Sequence, residues 1–238
     1  NFRKSSYTGR EFFGGRHRFE HWYRDNSVYF ITSKTRDGLL LFATAGAQAM
    51  PVRDTTLANG LHVIVVENHA VPLATVELDV KNGAYTQTPE FEGLAHLYEH
   101  MFFKANKTIP SQEKYLQRLR QLGAQWNGTT SDERVNYFLT LGVDSLRPGM
   151  QFMEDAVRYP LFLQEELVRE RPVVTGEFDR NEASPFFQLN RAVDTLLWTP
   201  AYYSHKNTIG DRQVILTTTP EKMREIQRRY YVPNNSAL

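Results

Sequence analysis

Strand-length runs joined by turn signals, with two helix-length runs among them, lie between Thr55 and Val143, and helix-length runs alone follow. That order restricts the folds available. Residues 55–57 and 61–67 are rich in β-branched and apolar side chains, and Asn59-Gly60 between them is a strong hairpin signal. Residues 73–80 alternate apolar with polar and read as a further strand ending near Asn82-Gly83, and 135–143 read as another. Helices are expected over 91–104, 144–158, 165–181, 186–198 and 220–231. One more should follow Ser111, a suitable N-cap, with Leu116, Leu119 and Leu122 as its apolar stripe. Strands first, then helices, with hairpin links, predict an α+β fold in which an antiparallel sheet is flanked by helices. No internal repeat is visible.

Composition narrows the chemistry. With 41% hydrophobic and 23% charged residues, the 238-residue chain can bury a core. Its net charge of +1 points to neither a nucleic-acid nor a membrane-surface partner. No run reaches the length of a membrane span. The chain has no cysteine, so any metal must be held by histidine and carboxylate.

Residues 1–38 form a segment of different character, in which arginine and lysine alternate with Phe2, Tyr7, Phe12, Phe13, Phe19, Trp22 and Tyr23. Such a mixture can bind single-stranded nucleic acid by phosphate contact and stacking. The favoured reading is a solvated or partly ordered extension with no such partner, which need not be native to the residues that follow. Residues 39–45 are an apolar run, and Ala47-Gln48-Ala49 has the small-x-small pattern of a secretory cleavage site. Residues 39–49 thus read as a signal-like segment, which favours a periplasmic or secreted protein. The competing reading starts a leaderless cytoplasmic protein at Met50.

The segment that carries chemistry is His96-Leu97-Tyr98-Glu99-His100. On a helix, residues four apart share a face, so both imidazoles can grip one ion. Glu99, three residues after His96, faces the same neighbourhood and can act on a water there without being a ligand. This H-x-x-E-H order is a zinc-peptidase pattern, the reverse of H-E-x-x-H. Zinc suits imidazole and carboxylate, and catalytic zinc sites keep three protein ligands and an open position. Glu99 would serve as general base. The competing reading is a surface helix with two solvated histidines. Glu170 and Glu177 supply candidates for a third ligand. Seven residues are nearly two helical turns, so both carboxylates share a face, about 10 Å apart along the axis. One of them is expected to ligate while the other orients a ligand.

His100 is followed by 69 residues and then Glu170, and six residues separate Glu170 from Glu177. In that spacing the chain resembles the M16 peptidases, the family of pitrilysin, insulin-degrading enzyme and the mitochondrial processing peptidase. Leu57-Ala58-Asn59-Gly60-Leu61, Gly93-Leu94-Ala95, Met101-Phe102-Phe103-Lys104, Asn127-Gly128-Thr129-Thr130 and Tyr231-Val232-Pro233-Asn234-Asn235 fit the same family. The resemblance implies an M16 N-terminal catalytic domain over residues 50–238, truncated at its C-terminal end. It implies zinc held by His96, His100 and Glu177, with Glu99 as base and Glu170 in support. The implied activity is that of a zinc endopeptidase acting on peptides or unfolded segments. The alternative is a non-catalytic family member serving as a scaffold or substrate-binding subunit.

Two residues depart from the family pattern. Pro172 stands between the two glutamates and Gly176 precedes Glu177, so the helix is expected to kink and be less rigid there. By the same resemblance a peptide would add as a strand along residues 125–129, with Asn127 and Gly128 as contacts. Read without the family, Asn127-Gly128 is equally a turn signal. Tyr137 reads as core, and His205 is assigned no role. Family members close around substrate with a second, related half, in the same longer chain or a separate subunit, which this chain does not include.

Overall fold

The computed structural model describes residues 51–200 and 206–238. The expectations for residues 1–38, 39–49, Met50 and His205 fall outside them.

Alternation decides which side of the sheet is wet. In β3 (Leu73–Val80), Val76, Leu78 and Val80 are buried, while Thr75, Glu77 and Asp79 belong to the other face. Its antiparallel neighbour β5 (Val135–Gly142) repeats the pattern: Val135, Tyr137 and Leu139 are buried and register with Val80, Leu78 and Val76. The opposite face is a polar lattice. Asn136 donates to Glu77 at 2.6 Å, Arg134 to Asp79 at 2.7 Å, and the hydroxyls of Thr75 and Thr140 meet at 2.9 Å. Among the described residues, helices therefore pack on one face only, as expected for an antiparallel sheet with a solvated side.

The six strands lie in the order β1-β2-β6-β3-β5-β4, with β1 Val52–Thr56, β2 His62–Val66, β4 Gln125–Thr130 and β6 Ser236–Ala237. The hairpin between β1 and β2 turns at Asn59-Gly60, where Gly60 has φ 88° and Asn59 Oδ1 accepts the Leu61 amide at 3.1 Å. The expected antiparallel sheet flanked by helices is present, with one parallel pairing in it. β6 pairs parallel with β2 and antiparallel with β3. Because β2 and β3 run in opposite directions, any strand entering between them must lie parallel to one. The sheet is mixed.

The helices are α1 (Leu94–Phe102), α2 (Gln112–Gln121), α3 (Leu146–Arg158), α4 (Gln164–Glu182), α5 (Pro185–Trp198), α6 (Arg212–Thr217) and α7 (Pro220–Tyr230). The helix expected from residue 91 begins three residues later, because Gly93 sits at φ 86° and separates a short 3₁₀ turn from α1. Helix α6, with Asp211 as its cap, was not expected. At α2, Ser111 Oγ accepts the Lys114 amide as the cap reading requires. Helix α4 runs unbroken through Pro172, and Asn127-Gly128 lies within β4, paired with Phe138 and Tyr137, not in a turn.

The core joins α1 to the sheet through aromatic rings. Phe102 stacks on Tyr137 at 3.7 Å between centroids and Tyr98 on Tyr231 at 4.0 Å, while the Tyr137 and Tyr231 hydroxyls meet at 2.7 Å. Phe152 and Met153 of α3 with Met223 and Ile226 of α7 complete it. No described helix is long and apolar enough to cross a membrane.

Candidate metal centre

One face of α1 is spent on the core: Leu94, Leu97, Tyr98, Met101 and Phe102 are buried. The other carries His96, Glu99 and His100 at positions i, i+3 and i+4, half-buried against α4 and β4. The start of α1 is anchored by Gln87, whose Oε1 accepts the amides of Gly93 at 2.8 Å and Ala95 at 3.3 Å. Gly93 is required there twice over, by its φ of 86° and by an approach that would leave a Cβ 2.6 Å from Gly210 Cα.

Helix α4 lays three carboxylates along the stripe facing α1, at Glu166, Glu170 and Glu177. Their partners differ. Glu166 accepts the Ala105 amide at 3.1 Å. Glu170 Oε1 lies 2.8 Å from His100 Nδ1, and its Oε2 lies 2.5 Å from Lys104 Nζ. Glu177 alone reaches the outer nitrogens, with Oε2 at 3.4 Å from His96 Nε2 and 3.8 Å from His100 Nε2. The two Nε2 atoms are 3.2 Å apart. His96, His100 and Glu177 are the one group of this kind among the described residues.

Those three edges test whether zinc fits. A triangle of that size has a point about 2.0 Å from every corner, the length of a zinc–nitrogen or zinc–carboxylate bond. The donor set is two imidazoles and one carboxylate, which suits zinc and leaves a coordination position open. The residues present fit the ion.

The surroundings act on the two imidazoles in opposite senses. Burial, reinforced by the charge of His100, pushes His96 down to about 4, so it is neutral at pH 7 with a lone pair to offer. Burial also pulls His100 down, but the hydrogen bond and charge of Glu170, with Glu177 and Glu99, outweigh it and raise it. For Glu170 burial pushes upward and is overcome by His100 and Lys104, which hold it below the usual carboxylate range. Since that carboxylate can only accept, His100 in its neutral form carries its proton on Nδ1 and has its Nε2 lone pair turned to the centre. His96 Nδ1 has no such partner among the described residues.

Glu99 is raised, chiefly by burial and further by Glu177, against a hydrogen bond from Thr130 and the charge of His100. Thr130 Oγ1 donates to Glu99 Oε2 at 2.7 Å. Strand β4 can pass this close because Gly128 has no side chain: a Cβ there would lie 3.0 Å from Glu99 Cγ. Among the described residues β4 pairs with β5 alone, so its other edge is free beside the site. Asn127 is exposed and Gly128 buried on that strand. Lys104, Thr130 and Gln87 were not singled out by their own chemistry in the sequence. A lysine four residues past a motif histidine is the one local hint for Lys104.

The insulin-degrading enzyme homolog of Dictyostelium discoideum is 27% identical over 186 residues, which cover 76% of this chain and 19% of that protein. The zinc protease YmxG of Bacillus subtilis, itself described as uncharacterized, is 25% identical over 190 residues, 79% of this chain and 45% of that one. The chain thus spans less than half the length of either relative. Among solved structures, the first half of the periplasmic protease PqqL from Escherichia coli is similar in fold, with a TM-score of 0.71 and 24% identity over 78% of this chain and 41% of that one. The family model for insulinase, peptidase family M16, matches residues 62–207, more than half of the sequence, and the chain belongs to that family.

Proposed function

We propose that this chain is the zinc-binding catalytic domain of a metalloendopeptidase, with His96, His100 and Glu177 as ligands and Glu99 as general base. The observation that carries the reading is the triangle of Nε2, Nε2 and Oε2 atoms, with edges of 3.2, 3.4 and 3.8 Å, beside a half-buried glutamate that is not part of it. Zinc held there supplies a Lewis acid that polarises a scissile carbonyl and acidifies a water. Glu99 accepts the proton of the attacking water at its carboxylate and returns it to the departing amine. Its raised pKa suits a group that must both take and give a proton, and Thr130 fixes the rotamer in which it does so. Glu170 supports the site by holding the ring of His100.

The free edge of β4 offers backbone groups to an extended peptide next to Glu99, which favours peptides and unfolded segments as substrates. Asn127 and Gly128 are the proposed contacts. The lengths of the relatives support a second, related half that completes the substrate chamber. The similarity to a periplasmic protease, with the signal-like residues 39–49, supports a periplasmic or secreted location.

The test separates binding from chemistry. His96→Ala, His100→Ala and Glu177→Gln should each lower zinc content by elemental analysis. Glu99→Gln should keep zinc and, with the second half supplied, lose about 10²-fold or more of peptide cleavage. Near-wild-type turnover in that variant assigns the base elsewhere, and full zinc retention in all three ligand variants removes the site.

A further inference from the structure

We propose that Lys104 is a positioning residue for this centre, acting on His100 through Glu170. The proposal rests on the reading of His96, His100 and Glu177 as metal ligands.

Lys104 lies just beyond the end of α1 and is only 6% exposed, an uncommon place for a lysine without a specific partner. Its ammonium has one, the Oε2 of Glu170, itself 8% exposed. The two oxygens of that carboxylate are divided between two cations or potential cations: Oε2 takes Lys104, and Oε1 takes His100 Nδ1 at 2.8 Å. A carboxylate held at one oxygen can swing about its last bond, whereas one held at both cannot. Glu166, one turn earlier on α4, accepts the amide of Ala105, so the backbone beside Lys104 is tied to the same helix. The C-terminal end of α1 is therefore attached to α4 at two successive turns. The attachment fixes the His100 ring and leaves Glu177 as the carboxylate of the stripe with an oxygen free for a metal.

A different role would leave a different trace. If Lys104 only neutralises a buried charge, its loss lowers stability without coupling to zinc. If its positive charge merely opposes a dication nearby, its loss tightens zinc. A positioning role predicts weaker zinc, and only while Glu170 is present.

The experiment measures zinc affinity of the 238-residue chain by competition with a chelator, for wild type, Lys104→Met, Lys104→Arg, Glu170→Gln and the Lys104→Met/Glu170→Gln pair, with folding checked by thermal melting. Lys104→Met should weaken zinc about tenfold or more, as other outer partners of metal ligands do. Lys104→Arg should keep most of the affinity. The double variant should lose no more than Glu170→Gln alone, because both changes break one chain of contacts. Unchanged or tighter zinc in Lys104→Met, or additive losses in the double variant, overturns the proposal. A wild-type chain that takes up no zinc overturns the metal reading and this one with it. Normal wild-type uptake with an indifferent Lys104→Met removes this inference alone. Should Lys104→Met not fold, imidazole nitrogen NMR of the metal-free wild type decides: above the imidazole titration His100 should carry its proton on Nδ1, and a proton on Nε2 overturns the arrangement.

Discussion

Replacing Gly128 tests why a glycine stands in the strand beside Glu99. An ideal Cβ at Gly128 would lie 3.0 Å from Glu99 Cγ and 3.1 and 3.2 Å from two ring atoms of Phe103, and its φ is outside the left-handed range. Space, not backbone conformation, is what the glycine supplies. Gly128→Ala asks those neighbours to yield a few tenths of an ångström, and the loss of unfolded-state freedom offsets about 0.4–1 kcal/mol of that cost. Its net effect should be small. Gly128→Val drives two further methyl groups into the closed space between β4 and α1, an overpacking worth about 1–3 kcal/mol. Urea unfolding followed by circular dichroism reads the difference, which should appear as a lower midpoint at unchanged slope. Zinc affinity should survive in both, since neither His96 nor His100 is touched, while Gly128→Val should impair cleavage by displacing Glu99. Equal destabilisation by alanine and valine would mean that conformation is the constraint, and a neutral Gly128→Val would mean that the close approach does not exist.

Two other substitutions bear on α4. Glu177→Gln should weaken zinc more than Glu170→Gln, whose loss should be about 10–100-fold, because only Glu177 reaches both Nε2 atoms. Chelator competition compares them, and equal losses would make Glu170 a ligand. Gly176→Ala should raise stability by up to about 1 kcal/mol, since a Cβ there meets nothing within 4 Å among the described residues and the position is mid-helix. A lower urea midpoint would show that the glycine serves a conformation not seen here.

What could be read in the linear chain is what depends on neighbours a few residues away. The pair His96 and His100 with Glu99 between them follows from helical periodicity, and the strands at 73–80 and 135–143 follow from alternation. The turn at Asn59-Gly60 and the cap at Ser111 are local chemistry of the same sort. Local chemistry also misled. Asn127-Gly128 has the composition of a turn, yet pairing with Phe138 and Tyr137 holds it extended, because a strand laid against β5 satisfies more backbone groups than a turn would. Pro172 pointed to a kink, and α4 continues through it without interruption.

The sequence by itself determined that a helix would present two imidazoles and a carboxylate on one side, and that carboxylates two turns apart would wait on another. Only the tertiary structure decided how those helices meet. The packing of α4 against α1 gives Glu177 the outer nitrogens and commits Glu170 to His100 Nδ1 and Lys104, a division that spacing alone leaves open. Other long-range contacts bring Thr130 from 31 residues away onto Glu99 and place β6 between β2 and β3. These are contacts between segments far apart in the chain, and no periodicity encodes them, because their geometry follows from how whole faces fit when the core closes.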